Sequence, residues 1–276
     1  MTDPDEIPTP AASGGLMINR GARLTISNIS ISFGPDGVSA SDPTITVSID
    51  LTPYWLEIAV SQVRAATEQH ERLLQALRAG NNDLVSAAME AECKASMQAF
   101  AAAGIALDAF YAAVKEQVPI PEALIAQWQK NRTARYKQIA EVFRRAFDMC
   151  PRSAVRLRTT MREVFDFRDR AVHPPAVARQ AVLYEELALG TEWRFVAFRA
   201  HNARLATSAA LSIVAQLLAR PRIEHSSLVE FCRPAITNMQ PTVDEWEKDF
   251  GQLYARSASR DCATGKIGNR INRQHG

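Results

Sequence analysis

The sequence predicts a mainly α protein, an up-and-down helical bundle with an N-terminal β-hairpin appendage. Three observations predict it. Apolar residues recur at helical spacing through most of the chain after Thr52. Between Ile29 and Leu51 they alternate at period two. Gly or Pro falls where one pattern gives way to the next. With 276 residues, 47% hydrophobic and 22% charged, the chain can bury a sizeable core, and collagenous or wholly disordered classes are excluded.

Residues 1–21, rich in Pro, Gly, Ser and Asp, read as a flexible leader. In the 22–51 segment Ile29, Ile31 and Phe33 alternate with serines, and Ile45, Val47, Ile49 and Leu51 alternate with polar residues. Gly34-Pro35-Asp36-Gly37 between them supplies turn chemistry. This predicts a hairpin with one buried face, lying on the helices because a lone hairpin is marginal.

The segment 52–255 reads as helices. Thr52 as N-cap with Pro53 opens the first and Gly80 stops it, with Leu56, Ala59, Val60, Val63, Leu73, Leu74 and Leu77 forming its stripe. An Ala-rich second helix is expected over about 82–118, with a bend at Gly104. A third runs over 121–149 and a fourth from Ser153 to His173, stopped by Pro174-Pro175. After an irregular connection, a long helix is expected over 193–219, then two shorter pieces over 227–238 and 243–254. Residues 256–276 read as a basic, disordered tail.

A net charge of +2 makes the distribution of charge more informative than its sum. The most apolar run, Ala99 to Val114, contains Asp108, and the acidic, proline-bearing start is unlike a signal peptide. A cytoplasmic protein without a membrane partner is therefore expected. Cys93, Cys150, Cys232 and Cys262 are widely spaced, with no C-x-x-C pair and no histidine at ligand spacing. No metal site and no cofactor are expected, and the cysteines read as free thiols.

One helix contradicts its own pattern. The stripe Ala154, Leu157, Met161, Val164, Phe165, Ala171 and Val172 places Arg168 at the centre of the apolar face at about 100° per residue. A guanidinium there is costly unless it is paired or faces a cleft. Asp169 and His173 adjoin it four residues apart, a spacing at which a carboxylate orients an imidazole. Arg–His pairs at similar spacing recur around all five histidines, but only Arg168 is followed by a polar residue.

In this segment, FDFRDRAVHPP, the chain resembles the HEPN superfamily of helical bundles. Its signature is an Arg, a polar residue directly after it, and a His four to six residues beyond the Arg. Arg168, Asp169 and His173 match those positions, and the resemblance extends over roughly residues 53–219. It implies a domain acting on RNA, as a metal-independent endoribonuclease of toxin, defence or stress type. There the His would serve as general acid/base and the Arg would stabilise phosphoryl charge. It also implies a homodimer with two motifs sharing one cleft, and an antitoxin-like protein partner. The alternative is a non-catalytic dimerisation, nucleic-acid-binding or adaptor module, with Arg168 paired across the bundle and His173 merely closing its helix.

From Lys130 to Arg170 there are 12 Lys and Arg against 5 Asp and Glu. Arg152, Arg156, Arg158, Arg162 and Arg170 lie on the polar side of the motif helix, as candidates for RNA binding. A solvated helix face is the plain alternative. His70, on the inward stripe of the first helix, is either a second ionisable group near Arg168 or a core histidine satisfied by a neighbour.

Overall fold

The computed structural model describes residues 19–34, 37–41, 44–173 and 180–253. The leader up to residue 18, the Pro174-Pro175 helix stop, Cys262 and the basic tail lie outside the described residues. The chain divides into two compact units, Met1–Ile49 and Asp50–Gly276.

The first unit is a hairpin, as the period-two pattern predicts. Strand β1 (Ala22–Ser27) pairs antiparallel with β4 (Thr44–Ile49), and β2 (Ile31–Gly34) pairs with β3 (Gly37–Ala40). The register is continuous, with Ala22 opposite Ile49 and Ile31 opposite Ala40. The arms start earlier than the alternation at Ile29 suggests. Between the two pairings Asn28 turns left-handed at φ +60°, and the Ser41 hydroxyl bridges the gap, donating to the Asn28 carbonyl and accepting from the Ser30 amide. Among the described residues of this unit the large apolar side chains are exposed. Phe33 is 81% exposed, and Leu24, Ile26, Ile45 and Val47 are exposed too.

Among the described residues the second unit is a bundle of eight helices: α1 (Thr52–Arg78), α2 (Asn82–Lys115), α3 (Glu122–Lys130), α4 (Arg135–Ala146), α5 (Pro151–Val172), α6 (Trp193–Ala197), α7 (Ala200–Leu218) and α8 (Ser226–Phe250). At its centre lies α2, packed against α1, α4, α5 and α7. Ala99, Ala102, Ala103 and Ala106 are buried along it, and their small side chains let the neighbouring helices approach closely. Around them Phe100 stacks on Phe167 at 4.6 Å, and Phe110 contacts Phe143 at 5.1 Å and Phe147 at 5.9 Å. By length and composition α2 could also cross a membrane, yet 56% of its most apolar window is buried inside this unit.

Several expected boundaries move, each for a physical reason. The start of α1 is held by Asp50 rather than by a Thr52 cap, because the Asp50 carboxylate accepts from both the amide and the hydroxyl of Thr52. Burial nevertheless raises the Asp50 pKa, opposed by those hydrogen bonds. The helix expected over 121–149 is two helices, α3 and α4. After Asn131, Arg132 turns left-handed at φ +48°, its amide bonds Gln129 O, and the Thr133 amide bonds Trp128 O. That is a Schellman ending. It carries Arg where Gly is usual, so composition does not announce it.

Conversely, the two pieces expected after residue 226 are the single helix α8, although it contains Pro234 and Pro241. These prolines lie seven apart on one exposed strip, where carbonyls deprived of a partner can face water. The irregular connection holds a small hairpin, β5 (Val182–Tyr184) with β6 (Leu189–Thr191), which delivers Tyr184 into the interior. Val172, expected in the core, is exposed at the end of α5.

Three cysteines are described, none of them in a disulfide: Cys93 in α2, Cys232 in α8, and Cys150 at the N-cap position of α5. Burial pushes the Cys93 thiol up to about 11, helped by Glu192 and Glu92, and pushes Cys232 up to about 12. Iodoacetamide at pH 8 is therefore expected to label the half-exposed Cys150 at least about tenfold faster than either buried thiol, since the thiolate is the nucleophile. Peptide mapping over a time course checks this, and equal rates would mean that the interior opens freely.

Candidate functional site

The motif residues occupy the last turn and a half of α5. Arg168 does point from the apolar face, as periodicity predicts, and it lies against α2. A Cβ added at Gly104 would stand 2.6 Å from the Arg168 Cδ, so the glycine makes room for the arginine. Gly104 lies within the single helix α2, which runs from Asn82 to Lys115. Arg168 Nη1 donates to Asp108 Oδ2 at 2.7 Å, while Nε and Nη2 donate to Asp169 Oδ1 at 3.0 and 2.7 Å. The guanidinium is also 4.4 Å from the Phe165 ring centroid and only 21% exposed.

Asp108 is shared. Its Oδ1 accepts from Arg135 Nε at 2.7 Å, and the Arg135 guanidinium stands 4.3 Å over the Tyr111 ring. One carboxylate therefore joins α2 to both α4 and α5. Sequence reading notes Asp108 as a charge inside an apolar run and Arg168 as a charge inside an apolar stripe, but does not pair them. Two misplaced charges of opposite sign were the available signal.

Asp169 and His173 are not brought together as expected. The Asp169 carboxylate is used by Arg168, and its main-chain carbonyl takes the His173 amide at 2.7 Å. The His173 side chain is exposed at the C-cap of α5, with no side-chain hydrogen bond among the described residues. His70 does not approach Arg168. Its Nδ1 lies 3.2 Å from Glu92 Oε2, the satisfied-core alternative.

The outer face of α5 is strongly basic. Arg152, Arg156 and Arg170 share one strip and Arg158 and Arg162 a second, about 120° around the helix at about 100° per residue. All five are exposed. No carboxylate partner is seen for Arg152, Arg156, Arg158 or Arg162 among the described residues, and Arg170 sits 5.8 Å from the Phe167 ring centroid. Glu163 and Asp166 lie on the same side of the helix without cancelling it. The other cations of this basic stretch are largely used locally, Arg144 and Arg145 on Glu141 and Arg135 on Asp108. Glu141 is accordingly held below its usual value, chiefly by its Arg144 hydrogen bond.

A second polar centre was missed by sequence reading. Glu92, 2% exposed in α2, accepts from the Ala200 amide at 2.8 Å, from the Tyr184 hydroxyl at 3.4 Å, and faces His70. Burial, then the Glu92 charge, pushes the Tyr184 hydroxyl well above its usual value. Arg199 pairs with Glu186 and stands 4.7 Å from the Tyr184 ring centroid. Glu92 thus takes the first amide of α7 and splits the helix expected over 193–219 into α6 and α7. Among the described residues, no three His, Cys, Asp or Glu side chains are grouped to hold a metal ion. Compared with known proteins, the chain matches no family model, no curated protein and no solved structure.

Proposed function

We propose that the helical unit is a HEPN-like module that acts on RNA, binding the phosphate backbone along the outer face of α5. One observation carries this reading: four exposed arginines, Arg152, Arg156, Arg158 and Arg162, on one helix with no carboxylate neutralising them among the described residues. Exposed guanidinium groups so placed attract phosphates and release their counterions without reading sequence. The test is fluorescence anisotropy with a labelled single-stranded RNA over a salt series. Replacing all four arginines with serine is expected to weaken binding at least tenfold near 0.1 M salt, and to flatten the salt dependence by about 0.7 per lost contact. Equal affinity in the variant would refute the reading.

Cleavage is the second reading, favoured by the exposed imidazole of His173 at the same helix end as Arg168 and Asp169. In this reading His173 takes the proton of a ribose 2′-OH, whose oxygen attacks the adjacent phosphorus and breaks the P–O5′ bond, so that a 2′,3′-cyclic phosphate forms and the departing 5′-oxygen takes a proton from water. Arg168, exchanging one Asp169 bond for the phosphoryl oxygen, stabilises the charge that develops there. Cleavage is expected to survive EDTA, to leave cyclic phosphate ends, and to vanish in His173→Ala with the melting curve unchanged. Products that disappear with chelator would refute this chemistry. A homodimer belongs to the same reading, because two copies about a two-fold axis would join two such helix ends into one cleft. Light scattering at tens of micromolar tests it.

A further inference from the structure

Along the helix that carries the motif lies a cleft that shares only Arg156 with the RNA reading. It encloses about 640 Å³ between the N-terminal half of α5 and α7, within the range of small-molecule sites. One part of its wall is aliphatic, formed by Leu157, Ile213 and Leu217. Hydroxyls of Ser153, Ser208 and Ser212 form another part. Small residues at these facing positions leave the space open, and the end of the cleft is tied by main-chain bonds. The Asp148 amide donates to Arg220 O at 2.9 Å and the Arg222 amide to Ala146 O at 3.0 Å.

Two exposed arginines line this space, Arg156 from α5 and Arg220 just beyond α7, against the single acid Asp148. Neither arginine has an ion pair among the described residues. The first turn of α5, which borders the cleft, lacks a side-chain cap and adds its positive end. No aromatic side chain lines the cleft, so it offers nothing on which a base or aromatic ring would stack.

From this combination we infer that the α5–α7 cleft binds a small amphipathic anion. The aliphatic body lies against Leu157, Ile213 and Leu217, and the carboxylate or phosphate head pairs with Arg156 and Arg220. The aliphatic wall supplies burial and the guanidinium pair supplies orientation.

The test uses the full chain and calorimetric titration without RNA, with decanoate below its micelle concentration, decanol, decyl phosphate and inorganic phosphate as probes. Decanoate or decyl phosphate is expected to bind at least tenfold more tightly than decanol or inorganic phosphate, each of which lacks one half of the recognition. Arg220→Gln, at an exposed position, should weaken the anionic probes at least fivefold and leave decanol unchanged. Ser212→Phe should fill the cleft and remove binding of every aliphatic probe. Saturating decanoate should slow alkylation of Cys150, which lines the cleft, several-fold. RNA affinity should be unchanged in both variants, so this site and the RNA reading fail or stand separately. Absence of decanoate and decyl phosphate binding up to millimolar concentration would overturn the proposal. So would equal binding of decanol, or decanoate binding indifferent to Arg220→Gln with Cys150 unprotected.

Discussion

Glu92→Ala is expected to cost about 3–5 kcal/mol of unfolding free energy, the largest effect of any single substitution proposed for this chain. The carboxylate is 2% exposed and serves groups from three other elements: the Ala200 amide that begins α7, the Tyr184 hydroxyl delivered by β5, and the His70 ring from α1. Removing it leaves the amide and the hydroxyl in an interior that water does not reach, at roughly 1–3 kcal/mol for each buried group. The missing side-chain volume adds a cavity term. Glu92→Gln keeps the volume and one carbonyl acceptor, so it should lose only about half as much. Urea melts of both variants at neutral pH measure this, with hydrogen exchange at the Ala200 amide as the local readout. A Glu92→Ala midpoint within error of the parent would show that α7 does not need this cap.

Asp108→Ala is expected to cost about 2–3 kcal/mol, whereas Arg168→Met should stay within about 1 kcal/mol of the parent. The asymmetry follows from the geometry. Asp108 accepts from Arg135 with one oxygen and from Arg168 with the other, so its loss strips a partner from two guanidiniums and unties α4 and α5 from α2. Removing Arg168 instead leaves Asp108 paired with Arg135 and places an unbranched apolar chain over Gly104, at a position the stripe already treats as core. Denaturant melts of the two variants and of the double variant yield the coupling between them. If Arg168→Met proved the more costly, Arg168 would be the keystone and the carboxylate dispensable. Arg168→Met also separates architecture from chemistry. Under the cleavage reading it folds like the parent and loses RNA cleavage, while the binding reading leaves RNA affinity nearly intact.

The parts of the site legible in the sequence were those that depend on neighbours along the chain. The core position of Arg168 follows from its spacing to Leu157, Met161, Val164 and Phe165. The basic outer face follows from Arg152, Arg156, Arg158 and Arg162, and the helix end follows from His173 before a proline pair. What Arg168 pairs with was not legible, because Asp108 lies 60 residues earlier on another helix. The Asp169–His173 contact expected from their spacing fails for a related reason. The guanidinium of Arg168 is nearer and charged, and it takes the carboxylate that the imidazole was expected to use.

The sequence by itself determined the fold class and where most segments change character. A helix and a strand differ in the period of their apolar residues, 3.6 against 2, and that period is read from residues a few positions apart. Tertiary structure decided the rest. It breaks the helix expected over 193–219, because a glutamate 108 residues away accepts the Ala200 amide. It keeps α8 whole through two prolines that lie on its exposed side. It also makes Gly104 the seat for an arginine, a close approach that no local pattern announces. Each of these depends on which groups lose water and which partner replaces it, and burial is fixed only when distant elements pack.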